Sequence, residues 1–198
     1  MKNFIKTSNN NAVIDFESAF SRLNEELSDA GLFLNLVCAG GYVMQLHGFI
    51  ATADVDAFYE SNEKIESIIR TVGDEFGINK ADELWLNSSI ADFNDMPPGK
   101  YCKVKYKLSN LMVKVVDILY VIGMKLDDVS ARDKDLKHVS SFIIDTNNEQ
   151  PLELFSELTR MGFRIDISVL LETYGIAYGM DWLEKFYEEN YTEIEKYS

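Results

Sequence analysis

Two aspartates, Asp54 and Asp56, are separated by a single residue in the stretch TADVDAF. Because side chains alternate across a strand, a strand through this stretch projects both carboxylates from one face. Two like charges held this close repel each other unless water or a positive charge compensates them. A hard divalent cation such as Mg²⁺ prefers oxygen ligands of this kind. The spacing leaves two interpretations open, a solvated strand end and a metal site.

A pair of glycines, Gly40 and Gly41, precedes the aspartates and follows the apolar run LFLNLVC. Glycines at a turn from strand to helix let a ligand approach the backbone, and free amides at a helix start stabilise phosphate oxygens. A Gly-Gly pair alone indicates only a turn. Together with two aspartates on the next strand, it fits a single ligand, a metal-bound nucleotide.

Hydrophobic periodicity predicts the elements that must position these residues. We expect an amphipathic helix over residues 15–30, a buried strand over 32–38, a short helix after the glycines and a second strand through TADVDAFYE. A further helix is predicted to begin with Ser61 as its cap and to end at Gly77.

The rest of the chain predicts a hairpin followed by helices. Residues 81–93 fit either a helix or a packed loop, and MPPG forms a turn. YCKVKYKL and LMVKVV alternate as strands and pair across Ser109 and Asn110. The pattern is helical from residue 117 onward. We therefore predict an α+β fold, with a small mixed β-sheet and flanking helices in residues 1–116 and a packed C-terminal helical bundle in residues 117–198.

Composition narrows the classes of partner and compartment. The chain has 198 residues, 19 Lys and Arg against 33 Asp and Glu, and a net charge of -14. This charge disfavours broad binding to DNA or to anionic lipid, so a nucleic-acid partner requires a local basic patch. No stretch has the length of a membrane span or of a secretion signal, and the two cysteines fit reduced thiols. We expect a cytoplasmic protein with no membrane partner.

Two blocks of the sequence resemble a known family. LVCAGGYVMQLHGFIATADVDAF resembles the signature of the nucleotidyltransferase fold, and VIGMKLDDVSARDKDLKHV is similar to a second signature of the abortive-infection (AbiEii-type) toxins and related bacterial nucleotidyltransferases. The blocks span residues 36–139, about half of the chain. The resemblance implies a sheet of the polymerase-β-like type.

The resemblance also implies roles for individual residues. Asp54 and Asp56 would bind Mg²⁺ or Mn²⁺, Lys125 would bind phosphate, and Asp135 would orient that lysine or take part in acid-base chemistry. The nucleoside triphosphate would also contact Gly40, Gly41, Thr52 and Arg132. Many nucleotidyltransferases use a third carboxylate, for which the candidates are Asp117 and Asp92.

Family members transfer a nucleoside monophosphate from a triphosphate, which implies an RNA or protein acceptor here and an antitoxin partner. The sequence departs from the pattern at three positions. Ile50 and Ala53 stand where basic residues are frequent, and His138 stands where an aspartate is. Ile50 and Ala53 favour a second hypothesis, a catalytically impaired protein that acts as a nucleotide-binding or protein-binding module.

Overall fold

The structure is a computed structural model, and it describes residues 14–127 and 133–197. These residues form eight α-helices and one mixed five-stranded sheet, which confirms the predicted α+β class. The helices are α1 (Phe16–Asp29), α2 (Gly40–Leu46), α3 (Glu63–Phe76), α4 (Ile118–Leu126), α5 (Asp133–Asp145), α6 (Pro151–Met161), α7 (Ile167–Tyr178) and α8 (Met180–Ile194). The strands are β1 (Leu34–Cys38), β2 (Val55–Phe58), β3 (Leu86–Asn87), β4 (Cys102–Lys107) and β5 (Leu111–Val116).

The strand order places the end of β1 beside the start of β2. The order is β3-β2-β1-β5-β4, with β2 antiparallel to β1 and β5 parallel to it. The carboxyl ends of β1 and β5 therefore meet the amino end of β2 at one end of the sheet. The Gly40–Gly41 turn and both aspartates lie at this end, which we call the polar end of the sheet.

Apolar cores on both faces of the sheet hold this arrangement in place. On β1, Leu36 and Cys38 join a core with α1, α3 and the buried Trp85, whereas Val37 joins a core with α4 to α8. Strand β1 is buried on both faces only towards its carboxyl end, at Leu36, Val37 and Cys38, whereas Asn35 nearer its start is exposed. The helices after residue 117 thus share a core with the sheet, while the proposed boundary between domains stays a prediction.

Several predicted ends of elements are confirmed. Asp15 caps α1, because its side chain accepts a hydrogen bond from the Ser18 N–H. Gly77 ends α3 in the left-handed conformation at φ 64°, which glycine adopts without steric cost. The hairpin of β4 and β5 forms across Ser109 and Asn110 as predicted.

Four local predictions were wrong or incomplete. Helix α2 begins at Gly40, so the two glycines form its first turn and do not precede it. Strand β2 begins at Val55, so Asp54 lies just before the strand rather than in it. Asn62 caps α3 instead of Ser61, because its side chain accepts from two backbone amides while the Ser61 hydroxyl donates to Glu66. Residues 81–93 contain a strand, β3, and a 3₁₀ helix over Ser89–Asp92.

Among the described residues, no helix is both long and apolar enough to cross a membrane.

Cys38 and Cys102 are both free thiols. Cys38 is buried and Cys102 half-buried, so the prediction of two unpaired cysteines is confirmed, but only the first is fully enclosed.

Candidate functional site

The Gly40–Gly41 turn lies directly against the side chains of Asp56 and Thr52. Gly40 has φ 58°, and a Cβ added there would lie 2.6 Å from Oδ2 of Asp56. A Cβ added at Gly41 would lie 2.7 Å from Oγ1 of Thr52. Both separations are shorter than real Cβ contacts, so a side chain at either glycine would have to displace Asp56 or Thr52. The backbone N–H of Ala39 donates to the Asp56 carbonyl at 2.9 Å and fixes the turn beside β2.

Asp54 is held by two donors, one on each carboxylate oxygen. Its Oδ1 accepts from the Thr52 hydroxyl at 3.0 Å, and its Oδ2 accepts from Nζ of Lys80 at 2.5 Å. Burial by itself would raise the pKa of Asp54. The hydrogen bonds from Lys80 and Thr52, with the charges of Lys80 and Lys134, outweigh burial and lower that pKa.

Asp56 is perturbed in the opposite direction. Burial and the nearby charge of Asp54 raise the pKa of Asp56, while the Asn87 amide and the charge of Lys125 oppose the shift. The two carboxylates therefore lie close enough to repel each other. An additional positive charge between them would relieve this repulsion.

Asn87 supplies an unused donor beside the carboxylate pair. It pairs with Asp56 in the register of β2 and β3, and its Oδ1 accepts from the Ser89 backbone N–H at 3.2 Å. Its Nδ2 is buried and makes no hydrogen bond of ordinary geometry to any described residue. The Asn87 amide nevertheless influences the pKa of Asp56, so this donor lies near the carboxylate. Buried donors without partners are uncommon in proteins, and an anionic ligand oxygen would satisfy this one.

Lys125 and Asp135 form a second ion pair next to the polar end of the sheet. Nζ of Lys125 lies 2.6 Å from Oδ1 of Asp135, and the two side chains are 12% and 10% exposed. The charge of Lys125 lowers the pKa of Asp56, so the ammonium lies within electrostatic range of the first carboxylate pair. The structure thus brings together most of the sequence-predicted residues. Arg132 lies outside the described residues.

Neither candidate for a third carboxylate joins the Asp54 and Asp56 pair. Asp117 caps α4 by accepting from the Leu119 N–H at 3.1 Å, and Nζ of Lys103 lies 3.7 Å from it. Asp92 is exposed at the end of the 3₁₀ helix. Over residues 14–127 and 133–197, no group of three or more His, Cys, Asp or Glu side chains is arranged to hold a metal ion.

The donor set of the site fits Mg²⁺ that arrives with a nucleotide. Mg²⁺ is commonly held by one or two carboxylates and completes its shell with water and substrate phosphates. Asp54 and Asp56 supply such carboxylates. The Asn87 amide places a hydrogen-bond donor beside these carboxylates. An all-protein metal cage does not fit this donor set.

Sequence reasoning missed two residues of the site, Lys80 and Asn87. Lys80 is 26 positions from Asp54 in the chain, and only the parallel pairing of β2 with β3 brings its loop to the aspartate. Neither residue belongs to a recognisable spacing. The one available signal was the cluster NKADE, in which the side chain of Lys80 also binds that of Glu83 at 2.9 Å.

Comparison with protein-family models, curated proteins and solved structures gave no match to the chain. The function is therefore inferred from the residues and contacts described above.

Proposed function

We propose that this protein is a Mg²⁺-dependent nucleotidyltransferase that moves a nucleoside monophosphate from a nucleoside triphosphate to an acceptor. The main observation in support is the contact of the Gly40–Gly41 turn with Asp56 and Thr52. The Asp54 carboxylate lies beside them and accepts from the Thr52 hydroxyl. A close glycine turn and two carboxylates at the same end of a sheet suit a metal-bound triphosphate. A sheet of the nucleotidyltransferase type is part of this proposal.

The proposed reaction is an in-line displacement at the α-phosphorus. The acceptor hydroxyl oxygen forms a new ester bond to phosphorus as the bond to the bridging oxygen breaks. Pyrophosphate leaves with that oxygen, and the hydroxyl proton passes to water. Bound Mg²⁺, held by Asp54 and Asp56, would neutralise charge on the transferred phosphate.

The other side chains of the site position the nucleotide and compensate its charge. Lys125 supplies a positive charge from the helical side, and its 2.6 Å contact with Asp135 favours an orienting role for that aspartate over acid-base chemistry. A carboxylate bound to an ammonium group is a weak proton acceptor. The Thr52 hydroxyl holds one oxygen of Asp54, which fixes the carboxylate for metal binding.

The hairpin of β4 and β5 supports RNA as the acceptor. Residues 100–114 contain five lysines and no acidic residue, whereas the whole chain carries a net charge of -14. Lys100 and Lys105 lie over tyrosine rings at 4.7 and 5.6 Å, and rings next to cations suit the stacking of single-stranded bases. Lysines on an edge strand also prevent aggregation, but Lys114 lies on the interior strand β5, where that purpose does not apply.

The position of the hairpin suits an acceptor strand that reaches the polar end of the sheet. Strand β4 is three strand spacings from β2, or about 14 Å, which two or three nucleotides span. The start of β4 lies at the polar end, since Lys103 contacts Asp117 there. An antitoxin protein encoded with this chain is part of the proposal and rests on the sequence resemblance alone.

A second candidate function is a nucleotide-binding or protein-binding module without turnover. Among the described residues, no third His, Cys, Asp or Glu is arranged with Asp54 and Asp56 to hold a metal ion, which favours this function. Nucleotide binding alone does not separate the two functions, because both predict it. Transfer of label to an acceptor does.

Turnover is tested by incubating the protein with Mg²⁺, each of the four α-labelled triphosphates in turn, and cellular RNA or protein. We expect label in the RNA fraction, its loss in Asp54→Ala, and unchanged labelling in Asp181→Asn, which alters an exposed aspartate of α8. Labelling should fall at least tenfold in the double variant Lys105→Glu, Lys107→Glu and fall with added salt. No label with any triphosphate would favour the binding module, and label in protein alone would refute RNA as the acceptor.

A further inference from the structure

The ammonium group of Lys80 contacts Asp54, one of the two carboxylates that we assign to the metal. Its Nζ lies 2.5 Å from Oδ2 of Asp54 and 2.9 Å from a carboxylate oxygen of Glu83. The Lys80 backbone N–H donates to the Glu83 carbonyl at 3.0 Å, which fixes the base of the side chain in its loop. The side chain itself is 47% exposed. Lys80 therefore combines a fixed backbone with an ammonium group that solvent reaches.

The contacts of Asp54 leave little room for a second cation. Its Oδ1 accepts from Thr52 and its Oδ2 faces Lys80, so each carboxylate oxygen has a donor in the metal-free protein. An ammonium and Mg²⁺ both carry positive charge and repel each other at contact distance. Binding of the metal at Oδ2 thus requires the ammonium of Lys80 to move away.

Once displaced from Asp54, the ammonium of Lys80 would bind a phosphate oxygen of the nucleotide. Metal binding neutralises Asp54 and leaves Glu83 as the remaining carboxylate on the ammonium. A triphosphate carries several negative oxygens to the same end of the sheet, within reach of a long and flexible side chain. Lys125 is 12% exposed and bound to Asp135, so Lys80 is better placed to follow a ligand that binds and leaves.

We propose that Lys80 is a positioning residue that exchanges partners: its ammonium holds Asp54 in the metal-free protein and moves to a phosphate oxygen of the bound nucleotide. The proposal rests on the proposed nucleotide site. It assigns Lys80 two opposite effects, competition with the metal alone and attraction of the nucleotide. A lysine that only stabilises its loop would produce neither effect.

The test compares wild type with Lys80→Met, Lys80→Arg and the control Lys196→Met. Lys196 forms an equally short contact with Glu193 and is 57% exposed, but it lies near the C-terminal end of the chain. Binding of Mn²⁺ alone is followed by electron paramagnetic resonance, and binding of a fluorescent triphosphate analogue without metal is followed by anisotropy.

We expect Lys80→Met to bind Mn²⁺ about fivefold more tightly than wild type. We expect it to bind the metal-free triphosphate about fivefold more weakly. A fivefold change in affinity is near the upper end of what an exposed ion pair contributes. Lys80→Arg keeps the charge and should retain wild-type nucleotide affinity, and Lys196→Met should match wild type in both assays. Equal or weaker Mn²⁺ binding by Lys80→Met would overturn the exchange of partners, as would unchanged nucleotide affinity.

A wrong role for Lys80 can be distinguished from a wrong metal site at Asp54. If Asp54→Ala loses Mn²⁺ binding while Lys80→Met resembles wild type, the metal site stands and the exchange by Lys80 is wrong. If Asp54→Ala binds Mn²⁺ as well as wild type, the metal site is wrong. Thermal melts test whether each variant is folded. We expect the Lys80 variants to fold, because the side chain of Lys80 is half-exposed.

Discussion

Near the polar end of the sheet, two lysine–aspartate pairs are in close contact, and they differ in burial. In the pair of Lys125 and Asp135 the side chains are 12% and 10% exposed, whereas in the pair of Lys80 and Asp54 they are 47% and 21% exposed. The N–O distances are nearly equal, at 2.6 and 2.5 Å. Short distance alone therefore does not distinguish the pairs.

The difference in burial predicts different behaviour. A buried pair is costly to separate, because each ion would remain in a medium of low dielectric constant without its partner. A half-exposed pair separates easily, because water replaces the lost contact. We infer that Lys125 and Asp135 form a fixed part of the site, whereas Lys80 and Asp54 can open to admit a ligand.

The largest effect is expected from breaking the buried pair. Lys125→Met removes the ammonium that lies 2.6 Å from the buried Asp135 carboxylate, and we expect the free energy of unfolding to fall by about 3 kcal/mol. The double variant Lys125→Met, Asp135→Leu removes both charges and should recover most of that loss. Urea unfolding of the three proteins measures both changes, and a double variant less stable than Lys125→Met would contradict a mutually compensating pair.

A smaller effect is expected at the turn that borders the exposed pair. Gly40→Ala combines backbone strain at φ 58° with a clash against Asp56, and should cost about 2 kcal/mol of stability and weaken Mn²⁺ binding. Gly48→Ala is the matched control, because Gly48 has φ 81° and open space at its Cβ position. Equal losses of stability in the two variants, with Mn²⁺ binding intact in both, would show that contact with Asp56 is unimportant.

The two neighbouring carboxylates should respond to neutralisation with opposite signs. The raised pKa of Asp56 means that its ionised form destabilises the folded state at pH 7, so Asp56→Asn should raise stability, by on the order of 1 kcal/mol. This gain should fade as the pH falls through the raised pKa towards the ordinary value of about 3.9.

Asp54 has a lowered pKa, so its ionised form stabilises the folded state above about pH 3.9. Asp54→Asn should therefore be less stable than wild type at pH 7, and the difference should shrink as the pH falls through the lowered pKa. Thermal unfolding between pH 3 and 7 measures both variants. The same sign of effect at pH 7 in both would contradict the assigned electrostatics.

The smallest change in stability is expected from breaking the exposed pair. Lys80→Met should lower the free energy of unfolding by less than about 1 kcal/mol, because solvent screens the contact with Asp54. Urea unfolding beside Lys125→Met compares the two pairs directly. A loss as large as that of Lys125→Met would mean that Lys80 is a fixed structural element and cannot exchange partners.

Sequence reasoning succeeded where the informative residues are close in the chain. The glycine turn and the aspartates belong to consecutive elements, so their meeting followed from the antiparallel pairing of β1 and β2. The helices α1 and α3 followed from apolar periodicity, and Gly77 marked the end of α3. The ion pair of Lys125 and Asp135 joins residues only ten positions apart, within the second block of the resemblance.

Sequence reasoning failed where tertiary pairing decides the contact. Strand β3 has only two residues, Leu86 and Asn87, too few for a period to be visible. The buried Trp85 fixes that segment, since its backbone carbonyl accepts from the Val55 N–H and its indole N–H donates to the Ile69 carbonyl. Lys80 reaches Asp54 only because this segment lies beside β2, and no local pattern encodes that contact.

The central claim is that Asp54 and Asp56 hold a divalent metal together with a nucleoside triphosphate. The most direct measurement is a titration of Mn²⁺ in the presence of a non-hydrolysable triphosphate, followed by electron paramagnetic resonance, for wild type, Asp54→Ala, Asp56→Asn and the control Asp181→Asn. We predict a protein-bound metal–nucleotide complex in wild type and in the control, and loss of this complex in Asp54→Ala and Asp56→Asn. Undiminished binding in Asp54→Ala and Asp56→Asn would contradict the claim.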